Sequence, residues 1–169
     1  MKSTKIVACA LSLALAGGIL AGCSSTEGSS SSAASSASSS AAVEVSQIEM
    51  KYIDPADVEA NLGDDDYLVV DLRKAADYEA GHIPGAISVD MDAAVNGDNQ
   101  AGIDAMTAAL QEATGSDVAE GKTLVLVCYS GAKYAQAGTN LLGAMGADMD
   151  SVYTLEGGMK AWTGETVTD

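Results

Sequence analysis

Four consecutive apolar residues, Leu124-Val125-Leu126-Val127, run without a polar break and stop at Cys128. A strand with one face in water alternates apolar and polar residues. An unbroken run is the pattern of a strand covered on both faces, as in a parallel sheet. After Cys128 comes a short loop of Tyr129, Ser130, Gly131 and Ala132, ending at Lys133. Beyond it Tyr134, Ala137, Leu141, Leu142 and Met145 recur near helical spacing. The chain is therefore built around a central strand, a tight loop and a helix, with a cysteine at the carboxyl end of the strand.

That position carries chemistry. Ligands of open α/β sheets bind outside the carboxyl ends of the strands. A helix amino terminus offers unpaired N–H groups and a partial positive charge. A loop curled about a sulfur aims its amides at an anion and favours thiolate over thiol. Lys133 adds a cation at the loop end. Two readings of Cys128 stand side by side: a nucleophile, or an ordinary core cysteine of the kind that is usually buried.

The front of the chain bears on that choice. Lys2 and Lys5 precede residues 6–16, which are apolar apart from Ser12. A basic start and a short apolar core describe a secretory signal, too short for a membrane span. Leu20-Ala21-Gly22-Cys23 resembles the bacterial lipobox, which implies cleavage before Cys23 and a diacylglycerol on its sulfur. Residues 24–42 are almost all Ser and Ala and cannot bury a core, so they read as a tether. The expected division is a signal peptide over 1–22, a lipidated cysteine and tether over 23–44, and a folded domain over 45–169. The expected location is the extracytoplasmic face of the cell membrane.

The chain has three cysteines. On this reading Cys9 leaves with the signal and Cys23 takes the lipid. Cys128 is then the one free thiol, and an unpaired cysteine in an exported protein points to reactivity. The net charge of −16 argues against nucleic acid and against electrostatic docking on anionic lipid. A small anionic substrate would need a local positive site.

In order, residues 48–53 alternate and suit a first strand. Asp54 as cap and Pro55 at the first helical position open a helix to Leu62. Tyr67-Leu68-Val69-Val70 is a second buried strand, ending at Asp71. A short helix follows over Ala75–Ala80, then a turn-rich link and a short strand over 87–89. Residues 91–96 carry no decisive pattern, and 96–99 read as a polar loop. A helix is expected over 103–113, with Ile103, Met106, Ala109 and Leu110 on one face. Val152–Leu155 is the last strand. Gly157 and Gly158 turn into a short helix carrying Met159 and Trp162, with a frayed tail from Thr163. Strands alternating with helices predict an α/β fold: a five-stranded parallel sheet with helices on both faces.

Three blocks of this pattern resemble the single-domain form of the rhodanese family. The first is Val70-Asp71-Leu72-Arg73 running into Asp77-Tyr78-Glu79-Ala80-Gly81-His82-Ile83-Pro84-Gly85-Ala86. The second is Val127-Cys128-Tyr129-Ser130-Gly131-Ala132-Lys133, similar to the family's active-site loop. The third is Leu155-Glu156-Gly157-Gly158-Met159 through Trp162. The resemblance implies a sulfurtransferase. Cys128 would take the outer sulfur of a small anionic donor such as thiosulfate, and a thiol, cyanide or protein acceptor would remove it. Tyr129, Ser130, Gly131, Ala132 and Lys133 would bind the donor, with Arg73 a further candidate. No cofactor, metal or nucleic acid is implied.

This sequence departs from the family at Lys133, where many members carry Arg. Arg grips an oxyanion with two parallel hydrogen bonds, whereas Lys is a flexible point charge. The loop is one residue shorter than in the related phosphatases, which favours sulfur over phosphate or arsenate. Asp71 and Arg73 either line the pocket or brace the strand end, and the bracing role is favoured. His82, the one histidine, is expected to serve its turn structurally. A non-catalytic sulfur carrier or binding module is the alternative function.

Overall fold

The structure is a computed structural model and describes residues 43–168. The signal, most of the tether and the lipidation site Cys23 lie outside the described residues. The described part has the expected class. Five parallel strands, β1 (Tyr52–Ile53), β2 (Tyr67–Asp71), β3 (Ile87–Ser88), β4 (Thr123–Val127) and β5 (Val152–Leu155), are ordered β1-β5-β4-β2-β3. Helices α1 (Pro55–Ala60), α2 (Ala75–Ala80), α3 (Asp92–Val95), α4 (Asn99–Thr114) and α5 (Lys133–Met145) cover the two faces.

The apolar run of β4 is central because both faces are covered. Leu124 and Leu126 enter a core with Met106 and Leu110 of α4 and Leu141 and Leu142 of α5. Val125 and Val127 enter a second core with Val58 of α1, Ile83, Leu155 and Trp162. Residues 124–127 are each at most 1% exposed. Burying such side chains contributes about 1.5–3 kcal/mol each, which makes β4 the strand the fold can least afford to lose.

Several expected boundaries are corrected. Pairing in the first strand is confined to Tyr52 and Ile53; the residues before it run along α5 instead. The Ile48 amide donates to Asn140 Oδ1 at 2.9 Å, and Gln136 Nε2 donates to the Ile48 carbonyl at 2.7 Å. Ile48 packs so tightly on Gly143 that a Cβ there would come to 2.0 Å of its Cδ1. Side-chain amides of a helix thus take up backbone groups that a neighbouring strand would otherwise hold. Helix α1 ends at Ala60, short of Leu62. Helix α4 begins at Asn99, earlier than its apolar spacing indicates, because the Asp98 carboxylate caps it by accepting from the Ala101 amide at 3.1 Å.

The tail is not frayed. His82 and Val167 exchange backbone hydrogen bonds of 2.9 Å in each direction. Trp162 Nε1 donates to the Glu165 carbonyl at 3.0 Å while its ring is buried in the second core. Trp162 lies just beyond the short turn of helix Gly158–Lys160 and not within it.

Candidate functional site

Cys128 follows β4 directly and is 1% exposed. Its thiol is free. The loop that follows turns back at Gly131, which has a φ of +67°, and enters α5 at Lys133. The first backbone hydrogen bond donated out of this stretch is from Gln136 to the Ala132 carbonyl, at 2.8 Å. Among the described residues, the amides of residues 129–135 donate to no protein acceptor. Such a run of unpaired N–H groups at a helix start is an arrangement for holding negative charge.

The last motif of the chain braces this loop from below. The Met159 amide donates to the Cys128 carbonyl at 2.8 Å, and the Lys160 amide donates to the Tyr129 carbonyl at 3.1 Å. The approach requires two glycines. A Cβ on Gly131 would come to 2.8 Å of the Leu155 carbonyl oxygen. A Cβ on Gly158, whose φ is +60°, would come to 2.3 Å of the Cys128 carbonyl oxygen and 2.7 Å of the Ser130 amide nitrogen. The Gly-Gly pair therefore does more than make a turn: it forms the floor of the loop.

Asp71 and Arg73 form a buried brace at the end of β2. Arg73 Nη2 and Nε donate to Asp71 Oδ2 at 2.7 and 3.1 Å, and Nη2 also donates to the Gly81 carbonyl at 2.7 Å. Burial opposes the guanidinium charge, but the hydrogen bond and field of Asp71 outweigh it and hold the Arg73 pKa above its ordinary value. The Arg73 fork is thus engaged by the strand end and the link that follows. His82 lies in that link, stacked on Tyr78 with centroids 3.8 Å apart, its Nδ1 3.0 Å from the Tyr78 carbonyl oxygen.

A second set of contacts around the loop is absent from the sequence reading. Tyr129 OH donates to Asp77 Oδ2 of α2 at 2.5 Å and accepts from the Lys74 amide at 3.4 Å. Tyr129 meets Tyr134 edge to face at 5.3 Å. Tyr134 OH donates to Asp92 Oδ1 at 2.8 Å, and Lys74 Nζ lies 3.2 Å from the same oxygen. The Asp92 hydrogen bond, with a smaller contribution from burial, pushes the Tyr134 pKa up to about 12. Burial, then the bond to Asp77, raises that of Tyr129. The phenol of Tyr134 and the ammonium of Lys74 lower the pKa of Asp92. No periodicity marks these pairs, because the partners lie on α2, α3 and the loop. The acidic residue before Tyr78 was the one available signal.

The larger surface concavities lie elsewhere. One of about 490 Å³, lined by Gly121, Lys122, Leu124 and Val152, is at the amino ends of β4 and β5, the opposite end of the sheet from Cys128. The loop offers unpaired backbone amides. It suits a few atoms carrying negative charge better than a large apolar ligand.

A sequence model described as "Rhodanese-like domain" matches residues 54–165. No curated protein matches the chain. Among solved structures, a thiosulfate sulfurtransferase from Pseudomonas aeruginosa is similar at 25% identity and a TM-score of 0.53, over 73% of this chain and 20% of its own. A Bacillus halodurans protein is similar at 24% identity and a TM-score of 0.51, over 70% of this chain and 77% of its own. The rhodanese-like domain of an Anabaena protein is similar at 20% identity and a TM-score of 0.51, over 72% and 81%. The last two are likenesses of fold. The family match covers well over half of the sequence and includes β2, the Cys128 loop and the Gly-Gly floor. This chain belongs to the rhodanese-like domain family.

Proposed function

We propose that this domain is a sulfurtransferase that carries sulfane sulfur as a persulfide on Cys128. The observation that carries the reading is a free thiol at the end of the central strand, followed by a loop of unpaired amides. In the first step the Cys128 thiolate attacks the outer sulfur of thiosulfate or a similar donor. A new S–S bond forms, the donor's S–S bond breaks, and its electron pair leaves on sulfite. In the second step an acceptor thiolate or cyanide attacks the outer persulfide sulfur and regenerates the Cys128 thiolate. Charge balances in each step, and no redox partner is needed. The amides of Tyr129, Ser130, Gly131, Ala132 and Lys133 stabilise the donor anion, the thiolate and the persulfide in turn.

The 1% exposure of Cys128 favours a second reading, a module that stores or relays sulfur and turns over slowly with free donors. Either way, Leu20-Ala21-Gly22-Cys23 supports a lipid on Cys23 and an extracytoplasmic domain tethered to the membrane. Among the described residues no helix is long and apolar enough to cross a membrane. Lipidation is tested by the mass of the amino-terminal peptide of the protein from its native membrane.

The functional test is mass analysis of the full chain after thiosulfate treatment, with modification mapped by peptide and Cys128→Ser alongside. The expected result is a gain of one sulfur on the Cys128 peptide of the wild type, reversed by cyanide. No gain from thiosulfate, mercaptopyruvate or polysulfide overturns the sulfurtransferase reading. A gain that cyanide or thiols remove only slowly supports the relay module.

A further inference from the structure

Residues 43–51 form a strap along α5 and run in the same direction as the helix. The Val43 carbonyl accepts from Asn99 Nδ2, at the start of α4, at 2.7 Å. Val45 packs on the first core and lines a cavity of about 220 Å³ together with Ala94, Asn99 and Lys133. Lys133 is the residue at which the Cys128 loop enters α5. Ile48 is held further along the helix by Gln136, Asn140 and the notch at Gly143. Lys51 reaches Asp150, just before β5, at 2.8 Å, and its carbonyl accepts from the Thr154 amide at 2.7 Å. The chain then turns into β1 and runs back beside β5.

A chain that enters this domain at Val43 therefore enters beside the Cys128 loop. Without the strap it would enter at Lys51, at the other end of the sheet. Lengths make this choice of end count. A domain of this size is about 35 Å across. A Ser-rich chain as long as residues 24–42 spans about 25 Å on average. Such a tether is no longer than the domain is wide, so the end at which it is rooted stays nearer the anchor.

We infer that the domain is tethered by its reactive end, and that its sulfur acceptor is a thiol of a membrane-bound protein, held at the bilayer surface, and not a dissolved one. The inference deepens the proposed function: it rests on the lipid reading of Cys23 and, for the sulfur step, on the Cys128 persulfide. In that step the acceptor thiolate attacks the outer persulfide sulfur, the S–S bond to Cys128 breaks, and its electron pair returns to the Cys128 sulfur. The strap raises the local concentration of a surface thiol at the loop without adding a contact.

The test uses the full lipidated chain on phosphatidylcholine vesicles that carry a fluorescent headgroup as energy acceptor. In a Cys128→Ser background, one donor dye is placed at Ser130→Cys in the loop or at Glu120→Cys at the opposite end; both positions are exposed. Energy transfer is expected to be about twofold stronger from the loop position, since the two differ by about a domain width. Ile48→Ala/Gln136→Ala/Asn140→Ala releases the strap, read as new protease cleavage within residues 43–50, and is expected to abolish that advantage. Circular dichroism shows whether the released variant is folded. Equal transfer from the two positions, stronger transfer from Glu120→Cys, or an advantage that survives release overturns the inference. In the sulfur arm, persulfidated wild type is offered a thiol-headgroup lipid in the vesicles or mercaptoethanol at equal bulk concentration. Sulfur is expected to pass to the surface thiol about tenfold faster, and release of the strap to slow that transfer about two- to fourfold. Equal rates with the two thiols overturn the acceptor assignment. A chain that does not stay on the vesicles overturns the lipid reading and this inference with it. A wild type that never loads sulfur overturns the sulfur-transfer reading, and the energy-transfer order still decides the tethering.

Discussion

Gly158 lies so close beneath Cys128 that a Cβ on it would stand 2.3 Å from the Cys128 carbonyl oxygen. Residues thirty positions apart in sequence are thus in backbone contact, and the shape of the Cys128 loop depends on a motif after the last strand. Gly158→Ala combines this collision with a φ of +60° that side chains rarely adopt. The expected cost is about 2–4 kcal/mol, read as a lowered urea midpoint, with loss of sulfur loading on Cys128 in the fraction that still folds. A variant with wild-type stability and loading would show that the loop does not rest on this glycine.

The Asp71–Arg73 brace makes a different prediction. Arg73→Ala leaves the Asp71 carboxylate, 1% exposed, without its partner. Breaking a buried pair in this way costs about 3–5 kcal/mol. Arg73→Lys keeps the charge but loses the two-pronged contact with Asp71 and the bond to Gly81, so it should fall between Ala and wild type. Chemical denaturation of the three proteins gives the order. If Arg73→Ala is as stable as wild type but raises KM for the donor, Arg73 binds substrate and is not a brace.

Two hydroxyls should be dispensable. Thr139 Oγ1 on α5 and Thr154 Oγ1 on β5 are buried with no hydrogen-bond partner. A buried polar group without a partner carries a desolvation penalty, and a methyl of the same shape does not. Thr139→Val and Thr154→Val are each expected to stabilise the domain by about 1 kcal/mol in urea melts. Destabilisation by a similar amount would mean that these hydroxyls are hydrogen-bonded in solution.

Tyr134 links the loop helix to pH. Its pKa is pushed from 10.0 up to about 12 by the Asp92 carboxylate and by burial. A group raised in the folded state adds stability below its unfolded pKa and loses it as pH climbs through the folded one. The Tyr134–Asp92 contribution is therefore whole below pH 10 and disappears towards pH 12. The tyrosinate absorbance of wild type minus Tyr134→Phe should titrate near the upper value. A difference curve centred at the ordinary tyrosine pKa would rule out the Asp92 contact.

Tyr129 gives the last prediction. Its phenol ties the loop to α2 through Asp77 and the Lys74 amide. Tyr129→Phe keeps the edge contact with Tyr134 but releases that tie, so Cys128 should become more accessible. Alkylation by iodoacetamide is expected to speed up about threefold, in proportion to a lost hydrogen bond of about 0.6 kcal/mol. An unchanged rate would place the barrier to Cys128 in the backbone of the loop.

Local pattern was enough for the class of fold and for the place of the thiol. The run at 124–127 and the strand ending at Asp71 announced themselves because burial on both faces removes polar residues from a strand. The cap at Asp54 and the helix over Ala75–Ala80 were equally plain. Features that depend on distant partners were not legible. Residues before Tyr52 alternate like a strand, yet Gln136 and Asn140 hold them along α5. The tail after Trp162 looks featureless, yet Val167 pairs with His82. Sequence by itself determined that a cysteine would end a central parallel strand and lead into a helix, since strand and helix periods are properties of neighbouring residues. Only the tertiary structure decided what surrounds that cysteine: the glycine floor and the Asp77–Tyr129 tie. These contacts join residues far apart in the chain, and their energies depend on distance and burial that no local period encodes.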